Sequence, residues 1–222
     1  TRVYGMIGGV DQFFDAVSIT GPLKSHADDR YALRSVKLYS DGALGSRGAA
    51  LLAPYSDAPH TKGLLFVQDN EMQRMVKKAA AKGYQVNVHA IGDAGNRQVI
   101  DALASLPKKN DAQTLRHRIE HAQVLELSDI PRVAKANIIP SMQPTHATSD
   151  MNMAEDRVGK ERIKGAYAWR TFLKQGSKIP CGSDFPIESP NPFWGIYAAV
   201  TRQDHQQMPV KGWHPEQAMT VQ

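Results

Sequence analysis

The chain has 222 residues, 41% hydrophobic and 22% charged, enough for one sizeable domain with an ordinary core. Its net charge of +5 is spread over single and paired basic residues such as Lys77-Lys78 and Lys108-Lys109. No basic helix interleaved with aromatics occurs, so the charge reads as a solvated surface and nucleic acid is not an expected partner. Cys181 is the single cysteine, which excludes an intramolecular disulfide, and no apolar run approaches the roughly 20 residues of a membrane span.

Taken in chain order, residues 1–20 hold a short apolar run (Tyr4 to Val10) and then Phe13-Phe14-Asp15-Ala16-Val17, a strand or loop and a short helix. Residues 21–34 read as a polar loop. Ser35 to Ser40 alternates as a strand does and runs into the glycine-rich Asp41-Gly42-Ala43-Leu44-Gly45-Ser46-Arg47-Gly48. Residues 49–68 form a long connection with a short strand expected at Leu64 to Val67; long ordered loops are often functional. Asp69 caps a helix whose apolar face is Met72, Met75, Val76, Ala79 and Ala80, ended by Gly83. A strand to His89 follows, then a helix capped by Asp93 and carrying Val99, Ile100 and Leu103. A strand to His121 is next, then a helix capped by Ser128 with Ile130, Val133 and Ala134. Asn137 to Met142 is a short strand leading to Gln143-Pro144-Thr145-His146. Residues 147–160 read as a polar loop. A helix with Ile163, Tyr167, Ala168, Phe172 and Leu173 precedes a last strand to Asp184, and Asn191-Pro192 starts a final helix.

Strands alternating with helices argue for a parallel α/β fold, and right-handed crossovers bring every strand's C-terminal end to one face. His89 and His121 lie about thirty residues apart, close to one βαβ unit. About five strands are legible, against the eight strands and about 250 residues of a closed (β/α)₈ barrel. The expectation is a partial TIM-like barrel, residues 1–222 forming a single barrel domain whose first strands are missing. The opening Thr1-Arg2-Val3 and closing Met219-Thr220-Val221-Gln222 read as mid-domain sequence, and the compartment is left open. An open doubly wound sheet is the weaker alternative, because no G-x-G-x-x-G follows a first strand.

His89, His121 and Asp184 each sit at the exit of a predicted strand. Imidazole nitrogen and carboxylate oxygen are what zinc and similar divalent ions bind, and ligands on successive strand ends make an open, concave site. Such an ion acidifies water and polarises a carbonyl, while Asp184 can move the proton. Each histidine alone reads more simply as a packed core residue; the equivalent placement of three groups favours ligation. His117 reads as packing. His146 faces the same mouth and is a candidate for substrate or oxyanion binding. Lys37, on a strand that faces the interior, is costly there unless paired or modified. Carboxylated, it becomes an oxygen ligand able to bridge two metals; otherwise it pairs with Asp41 or points outward. Arg47 either clamps a substrate carboxylate or orders its loop. Glu120 either orients a neighbouring group or faces outward.

Val36-Lys37-Leu38-Tyr39-Ser40-Asp41-Gly42-Ala43-Leu44-Gly45-Ser46-Arg47, Val88-His89-Ala90-Ile91-Gly92-Asp93, Arg118-Ile119-Glu120-His121-Ala122-Gln123, Gln143-Pro144-Thr145-His146, Gly182-Ser183-Asp184-Phe185-Pro186 and Gly212-Trp213-His214-Pro215-Glu216-Gln217 occur in that order. Together they resemble the YtcJ-like branch of the amidohydrolase superfamily (amidohydrolase family 3). The resemblance implies a TIM-like barrel and metal-dependent hydrolysis of a C–N bond, amide, N-acyl or formamide, by water activated on one or two divalent ions, zinc above all. It implies His89 and His121 as ligands from strands five and six, Asp184 from strand eight, and Lys37 in the strand-four region. That superfamily's first strand supplies a His-x-His pair, which this sequence lacks. A chain without it is expected to bind metal incompletely and to be inactive alone. A non-catalytic barrel binding a small molecule, and a mononuclear deaminase, are the rival readings. A small-molecule substrate and a homo-oligomer are the partners expected.

Overall fold

The computed structural model describes residues 1–220. Six strands form one sheet: β1 (Val3–Gly8), β2 (Leu23–His26), β3 (Tyr31–Tyr39), β4 (Gln85–Ala90), β5 (Arg118–His121) and β6 (Ile139–Ser141). The order is β1-β3-β4-β5-β6, each neighbouring pair parallel. Helices α1 (Gln12–Val17), α2 (Asp69–Ala81), α3 (Asp93–Ala104), α4 (Ala112–Leu115), α5 (Ile130–Lys135), α6 (Pro144–Asp150), α7 (Ala154–Arg162), α8 (Trp169–Lys174) and α9 (Pro192–Thr201) complete the alternation. The sheet does not close: the path starts at β1 and ends at β6, beyond which Met142 makes a single parallel bridge to Cys181. This is a partial barrel.

The two-residue period of the strands explains the layers. Val36 and Leu38, Val86 and Val88, and Ile119 share one face and are buried in a core with Val76 and Ala79 of α2, Val99 and Ile100 of α3, and Val133 of α5. The opposite face carries Lys37 and Tyr39, Asn87 and His89, and Arg118 and Glu120, aligned across the strands as Tyr39↔His89 and His89↔Glu120. Glu120 therefore lies on the inner face, where Arg118 stands 2.8 Å from it.

Several local expectations change. Residues 21–34 are not all loop: β2 pairs antiparallel with Tyr31 and Leu33 of β3, and β4 takes over from Ser35 onward. Leu64 to Val67 makes no strand; Phe66 only donates its N–H to the Ser40 carbonyl. The predicted 147–160 loop is largely α6 and α7, kinked at Gly159 (φ 79°). These helices bury few apolar residues, Ala147, Ala154 and Val158 among them, so no periodic face stood out. Asp69 and Asp93 lie in first turns rather than at caps, and Asp129 replaces Ser128 at the start of α5. The strand expected before Asp184 is reduced to the Cys181 bridge, because only Met142 supplies it with hydrogen bonds.

Candidate metal centre

The site forms where β4, β5, α6 and the turn at Asp184 meet. His89 reaches it by ordinary alternation at the end of β4. His121 does not: it pairs with Ala90, on the face of the helices. Its backbone is left-handed (φ 78°), as is that of Ala122 (φ 44°), and this twist brings its ring round to the mouth. The His121 ring then lies 4.6 Å from that of His89, edge to face, and 5.8 Å from that of His146, stacked. A glycine is the usual residue for such a backbone, so a histidine held there marks a constrained position.

His146 comes from the first turn of α6, which Pro144 starts. Asp184, exposed and also left-handed (φ 58°), comes from the turn after Cys181. Its Oδ2 is 3.9 Å from His146 Nε2. Among the described residues, His121, His146 and Asp184 bring one ligand atom each within 4.8 Å of one another. His89 borders this group: its Nε2 lies 3.5 Å from the Gly42 carbonyl and 3.6 Å from Asp41 Oδ1. Burial lowers the pKa of His89, and it pushes His121 down to about 3, aided by the neighbouring His89. Both rings are therefore neutral, each with a lone pair to offer.

Lys37 is half-buried, its Nζ 4.7 Å over the Tyr39 ring, near enough for its charge to disfavour protonation of His89 and His121. It makes no pair with Asp41. Arg47 is engaged elsewhere: Nε and Nη2 bind both oxygens of Asp57 at 3.1 and 2.8 Å, and Arg157 of α7 binds the same carboxylate. His117 is buried, taking the Val86 N–H on Nδ1 and holding the Asn110 carbonyl through Nε2, as packing requires.

Sequence reasoning missed Asp41 as a structural hub. It is fully buried and accepts the backbone N–H groups of Ala50, Ile91 and Gly92 at 2.8, 2.9 and 2.8 Å. Burial pushes its pKa up to about 7 against the pull of those three donors. The only signal was an aspartate-glycine pair directly after a strand.

The donor set of two imidazoles and a carboxylate fits a divalent ion. The Nε2 of His146 supports the fit, being buried and without a hydrogen-bond partner.

The amidohydrolase family model matches residues 7–222. YtcJ of Bacillus subtilis (strain 168), which carries an amidohydrolase name, is 42% identical over 175 residues, 78% of this chain and 32% of its own. N-substituted formamide deformylase of Arthrobacter pascens is 25% identical over 162 residues, 72% of this chain and 29% of its own. The crystal structure of an uncharacterized metal-dependent hydrolase from Pyrococcus horikoshii OT3 superposes with a TM-score of 0.82 at 30% identity, covering 98% of this chain and 42% of that one. The chain thus spans about a third of the length of the curated relatives it matches. With the family model matching nearly from end to end and a relative 42% identical over most of the chain, the chain belongs to the amidohydrolase family.

Proposed function

We propose that this chain carries the metal centre of a hydrolase that cleaves a C–N bond in an amide, N-acyl or formamide substrate. One observation carries the reading: His121, His146 and Asp184 converge within 4.8 Å, with the His146 Nε2 buried and unpartnered. The family supports it, as does the similarity to a protein named a deformylase of N-substituted formamides.

His121 and Asp184 would hold a divalent ion, zinc by its affinity for this donor set, with His89 reaching it from β4 and His146 from α6. Lys37 would join as an oxygen ligand if carboxylated; as an ammonium it stays over Tyr39 and helps keep the histidines neutral. When bound, the ion supplies Lewis-acid polarisation of the carbonyl and acidification of water. Asp184 takes the proton of the attacking water and returns it to the leaving nitrogen, a task suited to an exposed carboxylate free of backbone partners on its side chain. His89 and His121, kept neutral by burial, present nitrogen lone pairs instead of competing for that proton.

In the enzyme extended to the length of its relatives, Asp184→Asn lowers kcat on N-formyl amines by on the order of 10²–10⁴-fold and leaves the melting temperature in place. A wild-type rate in that variant removes Asp184 from the chemistry.

A further inference from the structure

His121 has two ring nitrogens, and an ion at the cluster can take only one of them. Which of them carries the proton decides whether the cluster meets a lone pair or an N–H. One of the two, Nδ1, lies 2.7 Å from Oε1 of Gln143, a contact buried from solvent. An amide oxygen accepts and cannot donate, so a proton must sit on Nδ1. The lone pair is then on Nε2.

The state of the ring follows from the orientation of the Gln143 amide. The Gln143 Nε2 donates to the Ser141 carbonyl at 3.4 Å. Turning the amide over would set its oxygen against that carbonyl oxygen and its NH₂ against Nδ1. The first contact is repulsive, so the Ser141 carbonyl selects the orientation and, through it, the state of the ring. Gln143 is well placed for this. It directly precedes α6, with Pro144 next and His146 three residues on. One short segment therefore supplies His146 and also reaches back to His121.

We propose that Gln143 is a positioning residue: it locks His121 in the Nδ1–H tautomer and directs the Nε2 lone pair toward His146 and Asp184. The proposal rests on the reading that His121 is a metal ligand, but its first readout does not need the metal. Neutral imidazole free in water favours the opposite tautomer, Nε2–H, so the lock has a spectroscopic signature.

The 222-residue chain is labelled with ¹⁵N-histidine, and long-range ¹H–¹⁵N spectra are recorded without metal at mildly alkaline pH. The wild type is expected to show His121 as Nδ1–H. Gln143→Leu, which removes the acceptor, moves it to Nε2–H. Gln143→Glu, whose carboxylate can only accept, restores Nδ1–H and serves as the rescue if the leucine variant folds poorly. Zinc titration by calorimetry follows, on the protein extended to the length of its relatives. Gln143→Leu weakens binding about 10- to 100-fold relative to wild type, as loss of a partner behind a ligating histidine does. A wild-type His121 found as Nε2–H overturns the proposal, and so does a folded Gln143→Leu that keeps Nδ1–H. A wild type with the Nδ1–H signature that takes up no zinc leaves Gln143 assigned and overturns the metal reading instead.

Discussion

Asp41 and Asp184 each follow an extended segment and open a turn, yet the fold uses them in opposite ways. Asp41, after β3, is sealed from solvent and gives both oxygens to the N–H groups of Ala50, Ile91 and Gly92. It ties the loop after β3 to the turn that follows β4, and so fixes the exit of His89. Asp184, after the Cys181 bridge, is exposed, and its side chain faces His146 with no backbone donor on it. A carboxylate saturated by backbone donors is held in one place and has little left to offer a ligand. One left unsaturated at a mouth is free for a cation or a proton. The surroundings differ in the same sense: β3, β4 and β5 are covered by α2, α3 and α5, whereas Phe185 and Ile187 beside Asp184 are 66% and 70% exposed.

The largest effect that tests this contrast is Asp41→Ala. It strands three buried N–H donors and is expected to cost on the order of 3 kcal/mol or more, read from the urea midpoint. A loss below about 1 kcal/mol would mean that water or another group satisfies those donors, and that Asp41 is no hub. Gly95→Ala probes the same pocket from the other side. A Cβ there would meet Asp41 Oδ2 at 2.6 Å, so this usually mild helix substitution is expected to destabilise by about 1–3 kcal/mol.

Acid sharpens the contrast through the covered histidines. Burial lowers the folded pKa of His117 and His121 below the unfolded value of about 6.5, with His121 at about 3. At these histidines the unfolded state therefore binds more protons below that value, and their contribution to stability falls as the pH drops. Each such histidine adds a slope approaching about 1.4 kcal/mol per pH unit between its two pKa values. Asp41, held up to about 7 by burial, contributes in the opposite sense over the same range, so the test is the difference between variants: His117→Gln should lose less stability than the wild type as the metal-free chain is taken from pH 6.5 downward. A slope unchanged by that substitution would show that His117 is not the buried neutral ring described. The smallest effect is that of Asp184→Asn on the fold itself, within about 0.5 kcal/mol for an exposed side chain. A loss comparable to that of Asp41→Ala would erase the distinction between the two aspartates.

Much of the frame was legible because it is local. Val36-Lys37-Leu38 and Val86-Asn87-Val88-His89 alternate with a period of two, and Met72, Val76, Ala79 and Ala80 repeat at helical spacing; all of these apolar residues are buried as the patterns require. Helices α6 and α7 were not legible, since each is short and buries only a few small residues. The strand before Asp184 was overread: its composition suits a strand, but a strand also needs neighbours, and one bridge is all it has. Arg47 could be read as a clamp or a loop anchor, and the Asp57 carboxylate, shared with Arg157 of a distant helix, engages its guanidinium in the loop.

From the residues themselves came the alternating parallel architecture and the donor types at its rim, His121 and Asp184 among them, because side-chain periodicity and donor type are properties of a short stretch. Tertiary structure alone decided which groups meet. The left-handed turn at His121, the arrival of His146 from α6 and the capture of Asp41 by three N–H groups all depend on contacts between segments far apart in the chain. No local pattern encodes such contacts, because each is settled only when the packed sheet and helices hold the backbone in place.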